Sequence, residues 1–218
     1  MTTTSSDKRS KEIVLAPNGE PVARRKVLYW EVAAFFIINL VAGVLHFAFE
    51  LSNFSEPLAV VASVNESTFE HLKLYFWPAL LLALVQHAYV KGTVNNYWFG
   101  KGLALLATPV TLIIAFYAYL GVVIPIYGKG ILVWTLIIGA SSVLVGNYVA
   151  YRILTSAEKG KTYRNVGLAI GGVLTILMAT SAWFPPEFFL YENFFGYVYT
   201  GEYGILDDYT PYLVFQGR

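Results

Sequence analysis

Five continuous apolar runs dominate the chain: roughly Trp30 to Phe49, Leu72 to Val90, Leu103 to Ile124, Ile131 to Tyr151 and Val166 to Phe184. A bilayer's hydrocarbon core is about 30 Å thick and takes about 20 residues of helix to cross. Backbone polar groups have no water partner there, so a spanning segment is a helix or part of a closed barrel. Barrel strands alternate apolar and polar residues over about 10 positions; these runs do not alternate. The pattern predicts an all-α, polytopic transmembrane helix bundle of about five spans. Composition agrees: 56% of residues are hydrophobic and only 13% charged, against about 25% charged in a soluble domain.

Basic residues predict the orientation. Twelve of the fifteen Lys and Arg fall on one side: Lys8, Arg9, Lys11, Arg24, Arg25 and Lys26 before the first span, Lys91 and Lys101 in the second loop, and Arg152, Lys159, Lys161 and Arg164 in the fourth. The positive-inside bias then places the N-terminus in the cytoplasm and the C-terminus outside, in a multi-pass cell-membrane protein. Three parts follow: a polar, basic tail (1–26), a five-span domain (27–184) and an external aromatic and acidic segment (185–218). Net charge +1 excludes a globally basic nucleic-acid binder, and the absence of cysteine excludes thiolate chemistry. The expected partners are the lipid bilayer and other membrane-protein subunits.

Span ends carry punctuation. Pro125 is expected to stop the third span, and Pro185-Pro186 the fifth. Gly167 and Gly171, like Gly146 and Ala150, have the small-x-x-x-small spacing that lets helices approach closely, here within one chain. The apolar stretch Leu58 to Val64 is too short to span. It either lies in the interface or re-enters against protein.

Charge collects where the second span begins, in "ASVNESTFEHLK" (62–73). Ser63 with Glu66, and Ser67 with Glu70, both have capping-box spacing, so helix two is expected to start near Ser63 or Ser67. Glu66, Glu70 and Lys73 are then expected on one helix face, at i, i+4 and i+7. His46 and Glu50 share a face near the end of span one. The candidate polar cluster is His46, Glu50, Asn65, Glu66, Glu70, His71 and Lys73. Three readings compete for it: helix capping with local ion pairs, a proton or cation path, and a metal site built from His46, Glu50, Glu66, Glu70 and His71. No H-E-x-x-H or E-x-x-H spacing marks the metal site, and no cofactor is specified. His87 is about 24 Å along the helix from His71, too far to share an ion with it. Ser141-Ser142 has no histidine on its helix, and no nucleophile–base–acid set is evident.

The stretches "FELSNFS", "VNESTFEHLKLYFWP" and "FPPEFF…TGEYG" resemble a family of small polytopic prokaryotic membrane proteins whose function is unknown. Its pattern has glycine where this chain has Asn53. The resemblance runs from span one to about Gly204 and implies a membrane location and prokaryotic origin, with no activity. The residues therefore favour an accessory subunit or assembly partner in a membrane complex, without a catalytic set. A carboxylate-based ion or proton transporter and a metal-dependent membrane enzyme are the alternatives.

Overall fold

The computed structural model describes residues 13–215; Lys8, Arg9, Lys11 and Arg218 lie outside them. Five helices appear: α1 (Arg24–Leu51), α2 (Thr68–Val90), α3 (Tyr97–Tyr127), α4 (Leu132–Leu154) and α5 (Lys161–Thr180). Four of them, α1, α3, α4 and α5, are long and apolar enough to cross a membrane. The second is long enough, about 35 Å at 1.5 Å per residue, but Glu70, His71, Lys73, Gln86 and His87 dilute its hydropathy. Its environment explains why it tolerates them. Leu72, Lys73, Leu74, Phe76 and Pro78 are all buried, on every side of the helix. This first half is enclosed and its Glu70 and Lys73 face protein, whereas Leu81, Leu84, Val85 and Tyr89 leave one face of the second half exposed.

Small residues set how closely the helices approach. Gly102 of α3 lies on the backbone of Gly167 of α5, and a Cβ on Gly167 would meet the Phe99 Cα at 2.5 Å. Gly146 of α4 sits against Thr108 of α3. The expected small-residue spacing thus serves packing within the chain. Phe69, Leu72, Phe76, Leu105, Leu112 and Met178 fill the space among α2, α3 and α5.

Several boundaries differ from expectation. Arg24, Arg25 and Lys26, expected ahead of the first span, form the first turn of α1. Pro125 does not stop the third helix. It removes one N–H bond to the preceding turn, yet the helix continues through it, and Gly128, at φ +68°, ends α3 after Tyr127. Lys101 is not a loop cation; it is buried in α3. The last helix stops at Thr180, before the two prolines, and the tail's Ile205 N–H takes the Ala182 carbonyl at 3.0 Å.

The tail also adds strand to an otherwise helical chain: β1 (Glu192–Phe195) pairs antiparallel with β2 (Val198–Tyr203). Between α1 and α2, a 3₁₀ turn at Glu56–Val60 carries Ala59 into a cluster with Phe49, Ala62, Val64 and Ala182. Of the two expected placements, this apolar stretch takes the one packed against protein. The preceding turn forms with Asn53 at φ +56°, a left-handed conformation Asn tolerates better than most residues. Phe54, at φ +59°, is less suited to it, and its ring stacks on Tyr209 at 4.5 Å.

The bundle has two distinct ends. At one, Asn95 and Asn96 tie the α2–α3 loop to Leu15, Ile153, Ser156 and Ala157. At the other, the α1–α2 connection meets the C-terminal hairpin. The start of α1 and the tail therefore lie at opposite ends.

Candidate functional site

Ser67 starts α2, and its hydroxyl accepts the Glu70 N–H at 3.2 Å. Only half of the expected capping box forms. The Ser67 N–H is taken by Asn65 Oδ1 at 2.8 Å, and the Glu70 carboxylate turns back to the Val64 N–H at 3.0 Å. Glu66 precedes the cap and lies outside the helix. It therefore does not share a helix face with Glu70 and Lys73, as the i, i+4, i+7 spacing suggested.

The seven candidate residues separate into three groups. Glu70 and Lys73 form a buried ion pair, 2.5 Å between Oε2 and Nζ, with Lys73 fully enclosed. Lys73 Nζ also donates to the Ala59 carbonyl at 2.7 Å. The pair fastens the 3₁₀ turn to α2 and is enclosed by protein. Glu50 and Asn65 hold the tail. Glu50 accepts the N–H groups of Val214 and Phe215, at 3.0 and 2.6 Å. Asn65 Nδ2 donates to the Gly204 carbonyl at 2.8 Å.

The third group is open. His46, Glu66 and His71 each present a ligand-type atom, and the three atoms lie within 4.8 Å of one another. All three residues are half-buried. His71 Nδ1 donates to the Ser67 carbonyl at 2.8 Å, which turns Nε2 toward the open side. That Nε2 lies 3.6 Å from Glu66 Oε2. His46 and His71 meet edge to face, ring centres 5.0 Å apart, and His46 Nδ1 is buried with no hydrogen-bond partner. Metal-bound histidines commonly have the second ring nitrogen held by a carbonyl or carboxylate; His71 has that support.

A cavity of about 120 Å³ adjoins the group, bordered by His46, Glu50, Asn65, Glu66, Asn193 and Tyr209. Burial pushes the Tyr209 phenol up to about 12, so it remains an O–H group across the physiological range. The hairpin positions Glu66 too. Asn193, fully buried, accepts the Glu66 N–H at 3.0 Å and donates to Glu202 at 3.1 Å. The hydroxyl of Tyr212, 2.5 Å from Glu202, is the main reason that carboxylate lies below its usual range.

A model of a family of unknown function, DUF6512, matches residues 21–205. The chain belongs to that family. The DUF6512 match takes in all five helices, His46, Glu66 and His71, and the hairpin through Ile205. It ends before Leu206 to Phe215, the part of the tail that reaches Glu50. No curated protein and no solved structure matches the chain.

Sequence reasoning missed three contributors to the polar architecture. Asn193 carried no local signal, because it acts through a contact 127 residues away. Glu31 and Lys101 were detectable as charges inside or beside apolar runs, where ionisable groups rarely sit without a partner. The other histidine, His87, packs on Tyr97 and Trp98, with ring centres 5.0 and 4.7 Å away.

Proposed function

We propose that this protein is a metal-binding membrane protein that holds a zinc-class divalent ion through His46, Glu66 and His71 at the hairpin end of the bundle. The convergence of these three ligand atoms within 4.8 Å carries the reading. Two imidazoles and one carboxylate suit zinc, and such three-residue sets leave a fourth position open to water or substrate. The cavity beside the ligands gives that position somewhere to open. A bound divalent ion there would supply Lewis-acid chemistry, activating water or polarising a carbonyl. The protein contributes the anchored His71 ring, the Glu66 backbone held by Asn193, and a bundle that limits water on the other sides.

The other functional readings have less behind them. A carboxylate path for ions through Glu66, Glu70 and His46 would lose Glu70, whose charge is paired with Lys73. The accessory-subunit reading rests on the lack of an evident catalytic set, and much of the aromatic segment that could meet a partner folds back onto Glu50, Asn65 and Phe69.

Metal analysis and calorimetric titration of the full-length protein in detergent test the proposal. The expected result is one tightly bound Zn²⁺ per chain, lost in Glu66→Ala and His71→Ala proteins that melt like the wild type without metal. No saturable binding, or binding that both variants retain, rejects it.

A further inference from the structure

The end of the bundle away from the hairpin carries most of the exposed positive charge. Arg24, Arg25 and Lys26 open α1, Lys91 follows α2, and Arg152 lies in the last turn of α4. Lys159, Lys161 and Arg164 gather at the start of α5. All eight are exposed, and the exposed acids of this end are Glu20 and Glu158. Among the described residues, none of the eight is ion-paired. Neither α1 nor α5 has an acid in its first turn, where the helix dipole favours negative charge and disfavours positive. The chain itself supplies too few anions for this surface.

The cations follow a pattern. Tyr29, Tyr89, Tyr148 and Tyr163, one on each of α1, α2, α4 and α5, are 46% to 69% exposed. Each has a cation outward of it, toward the helix end. Arg25 stands one turn, about 6 Å, before Tyr29. Arg152 stands one turn beyond Tyr148 and donates to its hydroxyl at 2.6 Å. Lys159 comes four residues before Tyr163, with Nζ 5.6 Å from the centre of its ring, a cation–π contact. Lys26 Nζ donates to the Tyr89 carbonyl at 2.5 Å, and Lys91 lies two residues on. Inward of the tyrosines the surface is apolar, with Val32 and Phe36 exposed on α1 and Leu144 and Val145 on α4. From the helix end inward the order is cation, tyrosine, hydrocarbon. Tyrosine favours the membrane–water interface, and long basic side chains carry their charge out to the headgroups.

We propose that this end of the protein is a docking surface for anionic phospholipids, whose phosphates bond the cations while their acyl chains lie along the apolar surface inward of the tyrosines. The cations have donors to give. A guanidinium has five N–H groups and an ammonium three. Among the described residues, Lys26 and Arg152 each use one in a hydrogen bond, and Arg24 uses one on the Thr155 carbonyl at 3.3 Å. Arginine also matches phosphate geometry with two parallel bonds. Position favours a lipid over a soluble anion, because the charges stand one turn from exposed apolar side chains and a phospholipid meets both at once. Charge favours an anionic lipid over a zwitterionic one, whose own ammonium is repelled by the same cations. Clusters of four to eight basic residues beside a membrane span commonly bind such headgroups. The surface lies at the end away from His46, Glu66 and His71, so this proposal and the metal site stand or fall separately.

Native mass spectrometry and thermal unfolding of the full-length protein in neutral detergent test this, with phosphatidylglycerol and phosphatidylcholine as probes. Phosphatidylglycerol should be retained preferentially and should raise the melting temperature more, an advantage that shrinks as salt screens the charges. Each cation near an anionic surface is worth about fivefold in affinity, so a protein with both Arg152→Gln and Lys159→Gln should bind about 25-fold more weakly. Arg152→Lys, which keeps the charge, should retain binding, and Lys129→Gln, at the hairpin end, should leave it unchanged. If the double variant melts early without lipid, each single variant serves, with a loss of about fivefold. Equal retention of the two lipids, an undiminished preference in the Gln variants, or an equal loss in Lys129→Gln overturns the proposal. So does displacement by inorganic phosphate beyond that of sodium chloride at the same ionic strength, which assigns the cations to a soluble anion.

Discussion

Two groups of charged side chains lie within eight residues at the start of α2, and their environments are opposite. Glu70 and Lys73 satisfy each other, the Val64 N–H and the Ala59 carbonyl, with no solvent contact. Glu66 and His71 are half-exposed, lie 3.6 Å apart, and stand beside a His46 nitrogen that has no partner. Residue type does not separate the two groups, since each has a glutamate and a base. Saturation does. A charge whose bonds are all made holds the fold, whereas one with bonds to spare can take a ligand. Glu31 lies between these cases, with one carboxylate oxygen doubly bonded and the other empty.

The contrast can be broken experimentally. Lys73→Met should be the most damaging change, because it strands a buried carboxylate; removing one partner of such a pair costs about 3–5 kcal/mol. Thermal unfolding in detergent would register it, and adding Glu70→Gln should recover part of the loss. Equal melting of wild type and Lys73→Met would erase the distinction drawn above.

His71→Ala should act on the other axis. Loss of a direct ligand should weaken Zn²⁺ binding by more than about 100-fold, beyond the 10–100-fold typical of supporting residues. Metal-free stability should stay within about 0.5 kcal/mol, as for surface changes. Asn193→Ala tests the support itself: with the Glu66 backbone released, affinity should fall by about 10–100-fold in the same titration.

Ser67→Ala divides the two groups at a single residue. Its hydroxyl caps Glu70, but its carbonyl holds His71. Stability should drop by about 1 kcal/mol, the usual value of a lost cap, while Zn²⁺ affinity stays put. A parallel fall in affinity would show that capping and ligand placement are coupled.

The smallest effect concerns acid. Glu202 is held below its usual value of 4.5, chiefly by the Tyr212 hydroxyl. A depressed folded-state value contributes stability above the unfolded value and loses it as pH falls through the folded one. Hairpin protection from protease should therefore be constant above pH 4.5 and decline below it, and Tyr212→Phe should make that decline smaller, because the folded value moves back toward the unfolded one.

How far the sequence could be read depended on the range of each interaction. Helix existence is a local property, and all five runs became helices. Ser67 was legible as a cap because its partner is three residues away. The turn at Asn53 forms despite the missing glycine, since Asn accepts positive φ. Long-range pairing was another matter. Glu66, Glu70 and Lys73 looked equivalent because spacing implies a shared face only inside a helix, and Asn65 starts an Asx turn that leaves Glu66 outside it. Lys101 passed for a loop cation because its partner, Glu31, is 70 residues away. Glu50 passed for a ligand because its partners lie in the tail.

Hydropathy alone set the solvent of this protein, the number of helices and the close glycine crossings, because burying about 20 apolar residues in lipid outweighs any single contact. It left open which charges meet. That was settled by enclosing the first half of α2 and folding the hairpin over its start. Desolvation in such an interior makes every unpaired charge costly, so geometry sorts the acids and bases into those that close on one another and those left with bonds to spare.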